Sequence, residues 1–178
     1  MHCLLATCLP TLVHKHAPGI IPPLWYLPFN IVLKRRKPDW EEEFANETSM
    51  YEILKPLQGS TIPICYGQVK CDDGTPALVL SDVGGQALGE DEVLEADEAE
   101  LRGIITKALN DMISMGFQHE DVKLDNFRLV GDRVVILDLE RVMSLRHTPE
   151  KACMVALEDL IESWAYYRDN KRKNAKYR

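Results

Sequence analysis

The longest hydrophobic repeat in the chain is the feature that most restricts its fold. Between Ala96 and Met115, apolar side chains recur every three or four positions, which is the spacing of one buried face of an α-helix. Gly116 follows directly, and glycine readily takes the left-handed conformation that ends many helices. The pattern therefore predicts a long amphipathic helix that needs a core to pack against. Its buried face would consist of Leu101, Ile104, Ile105, Ala108, Met112 and Ile113.

The segment after this helix predicts a strand hairpin and a last helix. Two apolar runs flank Gly131 and Asp132, a pair typical of a two-residue hairpin turn, and the second run ends at Asp138. Thr148 and Pro149 indicate a helix start, because threonine caps helices and proline favours their first position. The helix expected there has an apolar stripe of Met154, Leu157, Ile161 and Trp164.

The first half of the chain predicts strands around a shorter helix. The segment "NIVLK" (Asn30–Lys34) has the β-branched composition of a strand. The segments "IPICYGQV" and "PALVLSDV" predict two more strands, joined by a turn at Cys71–Thr75. The helix is expected to run from a capping box of Asp39 and Glu42 to about Lys55, where a proline follows.

Glu47 is an exception on the apolar face of that helix. The face is otherwise formed by Trp40, Phe44, Tyr51 and Leu54. An acid in such a place is costly to bury unless it is paired or reaches solvent.

The order of these elements predicts an α+β fold with a small sheet-rich half and a helical half. A chain of 178 residues, 46% of them hydrophobic, suits one globular domain or two small lobes that share a cleft. Prolines in the N-terminal segment allow only short extended pieces there. The expected organisation is an irregular proline-rich segment at 1–29, a small sheet unit at 30–83, a helical unit at 84–170 and a basic tail at 171–178.

Composition excludes several classes of partner and site. A net charge of −7 argues against general nucleic-acid binding, which needs clustered Lys and Arg. Five cysteines without a CxxC pair argue against a disulfide framework or a zinc site. No apolar run approaches the roughly 20 residues that span a bilayer, and Pro10 interrupts the N-terminal apolar stretch. We therefore expect a cytoplasmic or nuclear protein without a membrane partner.

A cluster of polar residues lies between the long helix and the hairpin, in "FQHEDVKLDNFRLV". Because a hairpin folds back on itself, this loop and Asp138 are expected to meet at one end of it. Asp121, Asn126 and Asp138 would then offer hard oxygen ligands of the kind that suit Mg²⁺ held by substrate phosphates. Asp121 would be free to accept a proton from a hydroxyl. The alternative is a solvated turn, since Asp and Asn are common in turns.

These motifs resemble those of the protein-kinase superfamily. The segment "HEDVKLDN" resembles the catalytic-loop pattern H-x-D-x-K-x-x-N, and "ILDLE" stands where that family has its metal-binding D-F-G. "VLK" at Val32–Lys34 resembles the strand motif with the nucleotide-contacting lysine, and Glu47 stands in the place of its glutamate partner. The resemblance covers roughly residues 30–165 and extends to a group of short, divergent fungal kinase-like proteins.

The resemblance implies ATP and Mg²⁺ as cofactors and a nucleotide site around Lys34. Lys34 would contact the α- and β-phosphates, and Glu47 would orient it by a charge-assisted bond. Backbone groups of "LVLSDVGG", near Ser81 and Val83, would hold the adenine ring. A solvated basic run is the alternative for Lys34, because three more basic residues follow it.

The resemblance also implies roles in the polar loop. Asp121 would take the proton of the attacking hydroxyl, and Lys123 would neutralise the phosphoryl group in transfer. Asn126 and Asp138 would bind Mg²⁺, and His119 would support the loop by hydrogen bonds. The implied architecture is a minimal two-lobed protein-kinase-like fold with a reduced N-terminal sheet and a truncated helical C-terminal lobe.

Three departures from the family pattern leave alternative functions open. No G-x-G-x-x-G precedes Lys34, Asp138-Leu139-Glu140 replaces D-F-G, and no A-P-E follows. The first hypothesis is a phosphotransferase that acts on a hydroxyl acceptor, such as Ser or Thr of a protein. A second is a pseudokinase that serves as a binding or scaffold module. Glu140 suggests a third, a small-molecule kinase of the aminoglycoside or choline type. The short C-terminal half also predicts exposed apolar surface that a protein partner would cover.

Overall fold

The protein has a mixed arrangement of helices and antiparallel strands. Its structure is a computed structural model that describes residues 4–5, 28 and 30–175. The expected α+β class is confirmed, because every strand pair in these residues is antiparallel and three α-helices pack with them. The helices are α1 (Glu41–Ile53), α2 (Glu98–Ser114) and α3 (Pro149–Ala175). The strands are β1 (Leu4–Leu5), β2 (Ile31–Arg35), β3 (Cys65–Lys70), β4 (Pro76–Ser81), β5 (Gln86–Ala87), β6 (Phe117–His119), β7 (Phe127–Val130), β8 (Arg133–Ile136) and β9 (Val142–Ser144).

The first sheet has the order β1-β2-β4-β3. Strand β2 pairs with β4 so that Lys34 lies opposite Leu78, and β3 and β4 form the expected hairpin around Cys71–Thr75. The strand predicted from "IPICYGQV" begins three residues late, at Cys65, because Thr61 and Ile62 bond instead to the turn before them. Strand β1 is one of the short extended pieces expected in the proline-rich segment. The rest of that segment lies outside the described residues.

Helix α1 buries the predicted face but does not begin as predicted. The expected capping box of Asp39 and Glu42 is wrong. Trp40 is the N-cap and makes no side-chain cap bond, and Asp39 precedes it with a left-handed φ of 61°. The tryptophan ring lies against the Lys37 ammonium, 4.0 Å from the ring centroid. In place of a capping bond, three glutamates in the first turn favour this helix end through the helix dipole.

Helix α2 confirms the long hydrophobic repeat. Its N-cap is Asp97, whose carboxylate accepts a 3.0 Å hydrogen bond from the Glu100 amide. The helix ends at Ser114, and Gly116 has the expected positive φ, 86°. Ile104 lies only partly buried beside the core, and Leu109 is an additional core residue of this helix.

The predicted hairpin and last helix are also present, but Met154 of the predicted apolar stripe is exposed, whereas Ile161 and Trp164 are buried. Strands β7 and β8 pair with each other, and β7 also pairs with β5. Gly131 lies in the turn between β7 and β8 at a φ of 62°. Strands β6 and β9 form a separate two-stranded sheet that returns the chain to the start of the polar loop. The Thr148 hydroxyl accepts from the Lys151 amide at 3.4 Å, as expected for a cap. Helix α3 continues into the segment expected to be a basic tail, where Lys171 contacts Glu95 at 3.3 Å.

One continuous hydrophobic core joins the first sheet to the helices. It contains Leu78 and Leu80 of β4, Ile105 and Met112 of α2, and the fully buried Trp164 of α3. Core residues thus come from both sides of residue 83, and the domain boundary there stays a prediction. None of the helices in the described part of the chain is both long and apolar enough to cross a membrane.

The link between β4 and β5 depends on close backbone packing at Gly85. This glycine has a φ of 66°, and a Cβ added to it would lie 2.2 Å from the Leu129 carbonyl oxygen. Gly84 also has a positive φ, 60°, but a Cβ there would meet no atom within 4 Å. Arg128 Nε donates to the Gly84 carbonyl at 2.8 Å and holds the link against β7.

We predict that Gly85→Ala destabilises the protein much more than Gly84→Ala. Both variants place alanine in a left-handed conformation, which costs about 1–2 kcal/mol. Only Gly85→Ala also forces the backbone of β7 away, which adds about 1–3 kcal/mol. Urea denaturation of the two variants and the parent measures the difference. Equal losses of unfolding free energy would show that the close approach has no energetic weight.

Candidate active site

Lys34 lies at the centre of the site and contacts three carboxylates. Its ammonium is 2.6 Å from Oε2 of Glu47, bonds to Oδ1 of Asp138, and lies 3.5 Å from Oε2 of Glu140. These groups come from β2, from α1 and from the turn after β8. The pairing that the sequence predicted between Lys34 and Glu47 is present, and Lys34 is not part of a freely solvated basic run.

The local folds explain why these side chains meet. Glu47 shares the inward face of α1 with Phe44 and Tyr51, and α1 lies against the turn after β8, while the ion pair with Lys34 joins it to β2. Asp138 has a left-handed φ of 59°, which turns the chain sharply after β8 into a 3₁₀ turn at Leu139–Arg141. The turn brings the Glu140 carboxylate back towards Lys34.

Asn46 fixes this turn to α1. Its Nδ2 donates to the carbonyl of Glu140 at 3.1 Å and to the carbonyl of Val142 at 3.0 Å. Lys37 holds the other side of Glu140, with 3.2 Å between Nζ and Oε1. Asn46 and Lys37 were missed by sequence reasoning, because both contacts link residues more than ninety positions apart. Their only signal was their position, Asn46 within α1 and Lys37 shortly before it.

Burial and charge oppose each other in this cluster. Burial raises the pKa of Glu47, which is fully enclosed, and the Lys34 charge only partly offsets that rise. Burial lowers the pKa of Lys34, but the charges of Glu47 and Asp138 outweigh burial and leave that pKa above its usual value. The Lys34 charge therefore offsets part of the burial cost of the charged Glu47, and the carboxylates favour the charged form of Lys34.

His119 connects the polar loop to Asp138 through backbone groups. Its Nε2 lies 3.1 Å from the carbonyl of Leu137 and 3.0 Å from that of Asp138. The Asp121 amide donates to Nδ1 at 3.1 Å, so the proton of the neutral ring is assigned to Nε2. Burial lowers the pKa of this histidine. His119 therefore orders the loop as expected, with a ring that favours the neutral form.

The other loop residues form a compact hydrogen-bonded group. Asn126 Nδ2 donates to the backbone and side-chain oxygens of Asp121 at 2.9 and 3.1 Å, and Lys123 Nζ lies 2.8 Å from the Asp121 carboxylate. Burial raises the pKa of Asp121, but bonds from Lys123 and Asn126 outweigh it and keep that pKa below its usual value. The Leu137 amide donates to the Asn126 carbonyl at 2.7 Å, so the loop and the segment that ends in Asp138 meet at one end of the hairpin.

A cavity of about 470 Å³ opens beside Lys34. Its wall includes Val32, Lys34, Glu47, Tyr51, Ser81 and Asp138. Ser81 thus reaches the cavity, although its amide already donates to the Ile64 carbonyl at 2.8 Å. In the described part of the chain, four expected site residues stay outside this wall: Val83, Asp121, Lys123 and Asn126. Apart from Val83, the structure therefore places the expected site residues in two groups, the cavity and the polar loop.

Comparison with known proteins identifies no relative of the chain. No model of a known protein family matches the chain, and a search of curated proteins finds no match. The chemistry of the site must therefore be inferred from its residues and their contacts.

We predict that His119 contributes to the loss of stability in acid. Its folded-state pKa lies below the ordinary value of 6.5, so the unfolded chain takes up this proton first as the pH falls. Stability therefore declines as the pH falls below about 6.5 towards the folded-state pKa. In His119→Gln, the unfolding free energy should fall less than in the parent between about pH 7 and about pH 5. The exposed His147, replaced in His147→Gln, is the matched control. Identical pH profiles for parent and His119→Gln would contradict the assignment.

Proposed function

We propose that the protein is an ATP- and Mg²⁺-dependent phosphotransferase of the protein-kinase-like type, with a minimal two-lobed fold. The proposal has one main support. Lys34, Glu47 and Asp138, which are far apart in sequence, converge at a cavity whose volume lies in the usual range for ligand sites. The acceptor would be a hydroxyl, such as Ser or Thr of a protein, and a cytoplasmic or nuclear location would supply the ATP.

In this proposal the cavity residues bind the nucleotide. Lys34 contacts the phosphates, and Glu47 holds the ammonium towards the cavity. Backbone groups near Ser81 and Val83 contact the adenine ring, with Ser81 on the cavity wall. The Asp138 carboxylate and Asn126 are oxygen donors of the type that Mg²⁺ prefers, so they fit the metal of this reaction class. Mg²⁺, when bound, neutralises phosphate charge.

The loop residues would handle the acceptor. The depressed pKa of Asp121 keeps its carboxylate ionised, so it can orient the acceptor hydroxyl and take its proton. The hydroxyl oxygen bonds to the terminal phosphorus of ATP while the bond to the bridging oxygen breaks and ADP leaves. Lys123 is largely exposed and already lies at the Asp121 carboxylate, where it would offset the charge of the transferred group.

Two other functions have specific support. A binding or scaffold module is favoured by the way Lys34 is held among three carboxylates, since phosphates must compete with all of them. A small-molecule kinase is favoured by Glu140, which replaces the family glycine and lies 3.5 Å from the Lys34 ammonium. The three functions differ in nucleotide binding, turnover and acceptor.

We predict that ATP stabilises the folded protein through Lys34. At 100 times its Kd, a ligand specific for the folded state adds about 2.7 kcal/mol of stability. Thermal shift with ATP, with and without Mg²⁺, should show this gain in the parent and a much smaller one in Lys34→Met. Lys70→Met, at an exposed lysine of the same sheet, should keep the full gain. A parent that shows no gain in either condition would contradict an ATP site.

We also predict that Asp121→Asn separates binding from transfer. The variant should retain the ATP-dependent shift, while its rate of ADP formation falls at least about a hundredfold, because the proton acceptor is lost. Asp125→Asn is the matched control, since Asp125 is an exposed aspartate of the same loop. An Asp121→Asn protein as active as the parent would exclude this mechanism. ATP binding without turnover in the parent would select the binding module instead.

A further inference from the structure

The carboxylates around Lys34 form a group that can hold a metal ion. Glu47, Asp138 and Glu140 each place an oxygen within 4.8 Å of the others. Carboxylate oxygens at such spacing are the ligands that Mg²⁺ and Mn²⁺ prefer. Three negative charges face the Lys34 ammonium, so this group carries an excess of negative charge beside the cavity.

Glu47 has coordinating capacity that the protein does not use. Its side chain is 1% exposed, and its Oε2 is the atom that lies near Lys34. Both of its oxygens are buried, and neither accepts a hydrogen bond of good geometry within the described residues, although Oε2 lies close to the Lys34 ammonium. A buried carboxylate oxygen without a partner is unfavourable, and a cation shared with Asp138 and Glu140 would relieve this cost.

Glu140 is held in place independently of Lys34. Asn46 binds its backbone carbonyl, and the Lys37 ammonium binds its Oε1. Lys37 is itself held over the ring of Trp40. The turn would therefore keep the Glu140 carboxylate near Glu47 and Asp138 even if the Lys34 ammonium moved away.

We propose that Glu47, Asp138 and Glu140 form a divalent-cation site that works without nucleotide, and that the Lys34 ammonium competes with the metal ion for it. Two cations cannot share these oxygens closely because they repel each other. The lysine stem is flexible and partly exposed, so the ammonium can turn towards the cavity when a metal ion enters. The inference uses residues of the proposed phosphotransferase, but it does not depend on ATP binding or on turnover.

Mn²⁺ binding in the absence of nucleotide tests this competition. By isothermal titration, Lys34→Met should bind Mn²⁺ at least about tenfold more tightly than the parent, since the competing charge is gone. Adding Glu140→Gln to Lys34→Met should remove most of that gain, and Lys70→Met should match the parent. A folded Lys34→Met variant with no gain, or a gain that survives Glu140→Gln, would overturn the proposal.

A second measurement uses the parent protein, in case Lys34→Met does not fold. Mn²⁺ should increase acylation of Lys34 by an amine-reactive reagent, measured by mass spectrometry, because the ammonium is released from its carboxylates. Acylation of the exposed Lys70 should not change. Lys34 reactivity that is unaffected by Mn²⁺ would contradict the competition. Mn²⁺ effects without any ATP-dependent shift would support this site and exclude the phosphotransferase. An ATP-dependent shift without Mn²⁺ effects would contradict this site and support the phosphotransferase.

Discussion

The buried carboxylate of Glu47 is the constraint on which the site depends. It lies on a helix face that otherwise packs into the core, and a charge there without a partner costs several kcal/mol. Lys34 supplies the opposite charge at 2.6 Å. This pairing ties α1 to β2, and Asn46, one position before Glu47, ties the same helix to the turn after Asp138. One short stretch of α1 therefore holds both sides of the cavity.

Sequence reasoning recovered those features that depend on local pattern. The repeat in α2, the Gly131 turn and the Thr148 cap all follow from residues within a few positions of each other, and all are present. The Lys34–Glu47 contact was expected from the resemblance to kinase motifs, because the acid on the apolar face indicated only that Glu47 needs a partner or access to solvent. The prediction that α1 starts with an Asp39 cap was wrong. Trp40, which packs against Lys37, takes the N-cap position that the local motif assigned to the aspartate.

The unpredicted parts of the site are contacts between distant segments. Glu140 lies beside Lys34 because Asp138 takes a left-handed conformation and Lys37 and Asn46 hold the turn, and local residue patterns do not predict these features. The pairing of β6 with β9, which sets the start of the polar loop against the chain after the hairpin, is equally invisible to hydrophobic periodicity. Such contacts arise when packed elements bring their ends together, so they become readable only once the arrangement of the core is known.

The charges around the cavity link the binding of phosphates to the binding of a divalent ion. With neither ligand bound, the Lys34 ammonium compensates part of the charge of Glu47, Asp138 and Glu140. Phosphates entering alone would take the ammonium and leave three carboxylates without it, while a divalent ion entering alone would leave the ammonium without partners. If both entered, as the proposed function requires, the ion would compensate the carboxylates and the ammonium would compensate the phosphates, so neither set of buried charges would be left unpaired. In the proposed function, Lys34 would therefore exchange its carboxylate partners for the phosphates of the nucleotide.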